Sequence, residues 1–328
     1  MIGTFKSNIP YNYFLLFIYG FLLYLPMFIR PVVPIPDGSD GVLYVALIKM
    51  LSFANHSYSF IYSLIAFALL FIQAMMLNKL ANHQRMHTKS SYLTGMSYML
   101  LTSTFMSWYG LHASLISASI LIWIVSKLCN LQNNSNAKPN LFNIGLLMGF
   151  STFFYFPSIA FFMMVLVGIT ILRPFKIAEW IIVFLGLITP YYFLFSFSFI
   201  FGKSLIDLTP MFSIGIPVVL ISRNEYIALS LMVIAVILGI YWVQQNMRRL
   251  LIQSRKTWTI LYVFLLIALL VPFLSKTTGF YNWRIAAIPF SAFSASFFLF
   301  PPVKWVSHLI HWSIVCITAY MGYQYILH

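Results

Sequence analysis

"LFNIGLLMGFSTFFYFPSIAFFMMVLVGITIL", residues 141–172, is almost wholly apolar, with Pro157 at its centre. One helix of that length would overshoot a hydrocarbon core of about 30 Å, and two half-length helices would barely cross it. Proline lacks the backbone donor a helix interior needs, and it pushes the preceding residue toward extended backbone. A break at Pro157 and a hairpin of two spans, 141–156 and 157–172, are therefore expected. Charge decides between hairpin and single span. With a hairpin and a cytoplasmic N-terminus, thirteen of the nineteen Lys and Arg residues fall in inside loops and six in outside loops. With a single span everything downstream flips and the division becomes ten against nine, which the positive-inside rule disfavours.

Outward from that segment the rest of the chain reads the same way. Hydrophobic residues make up 61% of the 328 positions and charged residues 7%, against about 25% charged in soluble domains. So few charges cannot cover a water-exposed surface, and apolar runs of span length recur throughout. The expected fold is all-α, a polytopic transmembrane helical bundle, because lipid-exposed backbone must satisfy its own hydrogen bonds. Eleven spans are expected, at 11–29, 58–78, 91–108, 111–129, 141–156, 157–172, 179–200, 225–244, 258–274, 283–300 and 306–326. Residues 42–53 are too short to span and read as an interfacial helix, and 208–222 is broken by Pro210, Gly215 and Pro217. The whole of 1–328 forms one integral-membrane domain, with the first run retained as a span rather than cleaved as a signal. The expected location is the plasma (inner) membrane. A net charge of +14 lies in short loops, where basic excess is topology, so nucleic acid is not an expected partner. Cys129 and Cys316 have no metal-type spacing and indicate no disulfide framework.

Against that background the five acidic residues stand out. Asp37 and Asp40 sit three apart in "RPVVPIPDGSDG", residues 30–41, just past the first span. Asp207 and Glu225 share their side of the membrane, and Glu179 lies on the other. Charge at a membrane boundary is costly and marks a functional candidate. A carboxylate there can serve as a general base or as an oxygen ligand for a divalent metal ion. Arg284, with Lys276 and Arg223, can hold a phosphate. A base beside a phosphate cluster at headgroup depth suits reactions on polyprenyl-phosphate substrates: the base activates an acceptor hydroxyl while the cations stabilise the departing lipid phosphate. Plainer roles exist for each residue. Asp favours turns and helix caps, and Asp40 directly precedes the 42–53 segment. Arg284 with Tyr281 and Trp283 suits an interfacial anchor. Asp207 suits pairing with a nearby base, and Glu225 suits the start of its helix.

In layout the chain resembles the GT-C superfamily of membrane glycosyltransferases, which use polyprenyl-linked sugar donors. "PIPDGSDG" with the 42–53 helix occupies the place of that superfamily's catalytic outer loop. "SWYGLH" at 107–112 occupies the short turn between the next two spans. "NIGLLMGFSTFFYFPSIAFF" at 143–162 resembles its short helical hairpin, and "FYNWRIAAIPFSAFSASFF" at 280–298 its late outer Arg before a Pro-containing span. The resemblance implies an N-terminal module over 1–172 with an outer loop at 30–57, followed by C-terminal spans over 173–328. It implies catalysis by Asp37 or Asp40, phosphate binding by Arg284, Lys276 and Arg223, and a lipid-linked sugar donor. The chain departs from the superfamily in a short first loop without an adjacent acidic pair. "SWYGLH" also lacks a second acid, leaving His112 its only titratable group. The chain also resembles a family of polytopic proteins of Bacteroidota, which carries no function with it.

Other classes compete. "HQRMH", His83 to His87, and "HLIH", His308 to His311, place imidazoles on one helix face, as membrane di-iron enzymes do. Such enzymes use about eight histidine ligands. This chain has seven, of which His56, His112 and His328 belong to the outer side, leaving at most a mononuclear site. No P-loop, GxSxG, HExxH or CxxC occurs. A non-catalytic subunit of an envelope assembly or secretion complex, with a protein partner, is one alternative. A small-solute transporter is another, disfavoured because charges cluster at loop edges and residues within spans, such as Gln73, Thr102, Ser103 and Thr104, are only mildly polar.

Overall fold

The computed structural model describes residues 2–52, 58–133, 137–202, 215–217, 222–275, 280–300 and 304–327. Helix accounts for 82% of it and no strand occurs among the described residues, so the fold is all-α. In chain order the helices are α1 Ile2–Phe5, α2 Tyr11–Leu23, α3 Leu25–Ile29, α4 Val42–Met50, α5 Phe60–His83, α6 Leu93–Ser103 and α7 Ala113–Cys129. They continue with α8 Lys138–Phe154, α9 Phe161–Leu172, α10 Ile177–Ile200, α11 Arg223–Asn246, α12 Ile252–Leu270, α13 Ala287–Leu299 and α14 Lys304–Leu327. Five stretches are long and apolar enough to cross a membrane: α5, α7 with its 3-10 extension, α10, α11 with its extension, and α12 with its extension.

Each expected span falls on helix, with adjusted ends. The first is split at Tyr24, because Pro26 occupies the first turn of α3 and cannot continue α2. The 42–53 segment is helical only to Met50. Most of 208–222 lies outside the described residues.

The opening stretch is a hairpin. The extended residue is Tyr155 (φ −133°, ψ 104°), one earlier than the proline rule places it, and Phe156, directly before Pro157, already belongs to the 3-10 turn Phe156–Ala160 between α8 and α9. Both free ends return to one side. Arg173 donates from Nη1 to the Leu131 carbonyl (3.2 Å), just ahead of α8, and its Nε pairs with Glu179 (3.2 Å). Lys256 donates to the Leu172 carbonyl at 3.1 Å. These contacts define a basic face. The hairpin's tip defines the opposite, acidic face.

Packing uses small residues and buried polar groups, as expected where lipid cannot drive helices together. On α8, Gly145 and Gly149 are four apart and face α10. A side chain at Gly145 would strike the Val183 carbonyl, and one at Gly186 the Phe142 carbonyl, so the two backbones touch. Gln73 on α5 donates to the Leu115 carbonyl and the Ser119 hydroxyl (both 2.7 Å) and accepts from Tyr98, joining α5, α6 and α7. Ser117 and Ser151 are bonded at 2.7 Å between α7 and α8. Gln73, Thr102, Ser103 and Thr104 are thus satisfied structural groups, while the buried hydroxyls of Thr94 and Ser97 have no partner among the described residues.

Candidate acid–base and anion site

The acidic face is built where three turns meet the hairpin tip. In the first turn Asp40 donates its N–H to the Asp37 carbonyl (3.0 Å), and its Oδ2 accepts the Asp37 N–H (2.8 Å). Next the strand-like stretch 39–41 pairs with the hairpin break. Gly41 N–H donates to the Phe154 carbonyl (2.8 Å), Phe156 N–H donates to the Ser39 carbonyl (3.3 Å), and Asp40 lies opposite Tyr155 in an antiparallel bridge. Gly41 is required for this approach, since a Cβ there would run into the Phe153 carbonyl. The expected cap role of Asp40 is corrected here. Gly41 occupies the N-cap of α4 with no side-chain cap, because the Asp40 carboxylate turns back onto Asp37.

The second turn, 105–112, carries His112, and the third is the 3-10 helix Phe280–Ala286. Residues three apart eclipse in a 3-10 helix, so Tyr281 and Arg284 project from one side. The Tyr281 hydroxyl donates to Asp37 Oδ2. The His112 ring stacks on Tyr281 at 4.8 Å with an interplanar angle of 8°. Trp108 Nε1 ties the turns together through the Phe280 carbonyl (2.9 Å).

Arg284 is 0% exposed. Its Nη1 makes one long bond to the Gly110 carbonyl (3.5 Å), while Nε and Nη2 have no partner. Tyr24, Tyr44 and Tyr98 lie within electrostatic reach of it. Their hydroxyls are committed elsewhere, to Thr102, the Leu111 carbonyl and Gln73. Tyr44 feels the charges of Asp40 and Asp37 as well as that of Arg284. A buried guanidinium with two unmet donors is expensive, and an anion is the ligand that offsets such a cost.

Electrostatics separates the titratable neighbours. Half-burial pushes the Asp40 carboxyl up to about 7; the Asp37 N–H bond opposes the rise and the Asp37 charge adds to it. Desolvation, followed by the charge of Arg284, pushes the His112 imidazole down. At neutral pH Asp40 is therefore poised between acid and base, and His112 is uncharged.

Residues 40–327 match DUF6427, described as a family of unknown function. The chain belongs to the DUF6427 family. The stretch matched to DUF6427 takes in Asp40, His112, Tyr281 and Arg284, and Asp37 lies just ahead of it. No curated protein and no solved structure matches this DUF6427 chain.

Other expected site residues fare differently. Lys276 and Asp207 lie outside the described residues. Arg223 is exposed at the first turn of α11, and the structure records no hydrogen bond or ion pair from it to the Asp37–Asp40–Arg284 group. Glu225 completes a capping box with Ser222, accepting the Ser222 N–H at 2.8 Å. Histidine clustering is corrected: among the described residues no three His, Cys, Asp or Glu side chains are placed to hold a metal ion. Sequence reasoning treated Tyr281 only as an interfacial anchor and passed over Tyr44 and Gly41. The three-residue spacing within "FYNWR" was the available signal for Tyr281, once the segment is known to be 3-10.

Proposed function

We propose that this protein is a GT-C-like enzyme of the inner membrane. It crosses that membrane eleven times, with its N-terminus in the cytoplasm and its acidic face outside. There it moves a sugar from a polyprenyl-phosphate donor to an acceptor. Asp40 takes the proton of the acceptor hydroxyl, whose oxygen forms the new bond to the anomeric carbon. The bond from that carbon to the phosphate oxygen breaks, and the departing lipid phosphate carries away the electron pair. Nε and Nη2 of Arg284 bind that phosphate, with Lys276 and Arg223 as outer cations. Asp37, bonded to Tyr281, orients the acidic turn, and with no third metal-ligating side chain beside it among the described residues the step needs no divalent metal ion. What supports this reading is the buried Arg284 with two unpartnered donors, carried on the same 3-10 helix as Tyr281, whose hydroxyl donates to Asp37 of the acidic turn. The test is a deletion strain profiled for polyprenyl-linked sugars and envelope glycans by mass spectrometry. Wild type should clear an accumulated lipid-linked sugar, and Asp40→Asn or Arg284→Lys, made at equal level, should not. Unchanged profiles on deletion would sink the proposal.

One observation favours a second reading, a non-catalytic subunit of an envelope or secretion complex. Helix α10 exposes Phe184, Tyr192, Phe193, Phe195, Phe197 and Phe199, a broad aromatic flank for a partner helix. Co-purification of a stoichiometric protein that is lost on substituting these residues, with glycans unaffected by Asp40→Asn, would support it.

A further inference from the structure

The basic face holds a second site that the acidic-face chemistry does not use. After α5 the chain turns sharply, and Arg85 has φ +48°, the left-handed region that L side chains rarely adopt. The neighbouring elements hold it there. The Ser254 hydroxyl reaches the carbonyls of Gln84 (3.0 Å) and Arg85 (2.7 Å), Gln253 donates to the Gln84 side chain (2.7 Å), and Trp258 Nε1 donates to the Met86 carbonyl (3.2 Å). Arg85 is the left-handed residue that stops α5: its N–H donates to the Asn82 carbonyl (3.1 Å) and the Met86 N–H to the Ala81 carbonyl (2.9 Å), so the turn is a fixed part of the helix end.

Two adjoining cavities open beside this turn. One, of about 390 Å³, is polar, lined by Asn82, Arg85, His87, Thr88, Ser90 and Arg249 among others. The other, of about 280 Å³, is mainly apolar, walled by Trp242, Val243, Trp258 and Phe300. His87, Thr88, Arg249 and Leu250 line both, so the two compartments share a wall. At that wall His87 is 7% exposed, and its Nε2 has no hydrogen-bond partner. Burial pushes its imidazole down to about 4, so the positive charge of the site comes from the arginines.

Those arginines have no counter-ion in the described structure. Glu179 is the acidic residue on this face, and it is paired with Arg173. No Asp or Glu lines either cavity. An amphiphile with an anionic head fits such a pair of compartments. A soluble phosphate would fill only the polar one and leave the tryptophan-walled space empty.

We infer that the two cavities bind a single membrane lipid with a phosphate-bearing anionic headgroup. Its phosphate lies between Arg85, Arg249 and His87, and an acyl chain lies against Trp242, Trp258 and Phe300. Planar guanidinium forks suit the phosphate, and the indole walls suit the chain near the headgroup boundary.

The test uses the full-length protein in a neutral detergent. Native mass spectrometry would follow added phosphatidylglycerol and phosphatidylcholine with identical chains, and thermal unfolding would be followed with inorganic phosphate. Wild type should retain phosphatidylglycerol on the order of tenfold better, as charge-assisted hydrogen bonds to the phosphate would give. The exposed double variant Arg85→Gln/Arg249→Gln should lose that preference, and Arg249→Lys should keep part of it. Trp242→Phe should weaken retention of both lipids less than the double variant weakens that of phosphatidylglycerol. Equal retention of the two lipids by wild type would overturn the assignment, without needing any variant to fold. So would a preference that survives in a folded double variant. Protection by inorganic phosphate equal to that by phosphatidylglycerol would show a soluble-anion site and also overturn it.

Discussion

Removing the Arg284 side chain should move stability and activity in opposite directions. Arg284→Met deletes a buried charge whose donors are unmet, so its thermal midpoint in nanodiscs should equal or exceed wild type, by up to about 1–4 kcal/mol equivalent. Transfer activity should vanish in the same variant. Arg284→Lys keeps the charge and loses the two-pronged donor, and should lower turnover by roughly 10- to 100-fold, the cost of one to two charge-assisted bonds. A large loss of stability in Arg284→Met would show that the guanidinium is held by partners within the fold. Asp40 supplies a pH signature. An unfolded Asp titrates near 3.8 and the folded carboxyl at about 7, so between those values the folded chain holds more protons. Stability should therefore fall as pH rises from about 4 to 7, and Asp40→Asn should flatten that slope in thermal unfolding scans. With Asp40 as base, activity should run the other way, rising through pH 7. At this scale the sequence singled out Asp37, Asp40 and Arg284 because charge is rare in the chain. It did not reveal that Tyr281 bridges to Asp37, because 244 positions separate the two and only the folded turns bring them together.

Among the helices the tightest demand falls on the α8–α10 pair. Gly145→Ile forces a branched side chain into the Val183 backbone, which cannot yield without separating the helices. We expect a loss of at least about 2 kcal/mol, read as a lower midpoint in detergent unfolding, typical of overpacked sites. Gly41→Ala is gentler in volume and more specific in effect. It should leave α8 and α10 packed while lifting the acidic turn off the hairpin tip, cutting activity with little change in midpoint. The helices and the break within 141–172 were legible because proline and long apolar runs act locally through backbone geometry. The expected ends 78 and 258 moved to His83 and Ile252, where polar residues continue the helix, whereas the ends at 157 and 274 fall on the 3-10 turns 156–160 and 271–274. A 3-10 turn satisfies the last carbonyls of a helix with neighbours that hydropathy does not distinguish.

Across the whole molecule, orientation rests on charge and is open to direct labelling. In a background lacking Cys129 and Cys316, Gly38→Cys on the acidic face should react with a membrane-impermeant maleimide applied to intact cells. Ser90→Cys on the basic face should react only after the cells are opened. The reverse pattern would invert the topology and place the acidic turn in the cytoplasm. The bridge between the 39–41 stretch and the hairpin tip has a mechanical consequence. Helix α8 is 17 residues long, a rod of about 25 Å, and its companion α9 is moored to the basic face through Arg173 and Lys256. On the proposed topology the acidic turn is thus fastened to the far end of a lever whose pivot lies in the other leaflet. On the proposed topology, a change in lateral pressure or thickness on one side of the bilayer should reach the carboxylates on the other as displacement.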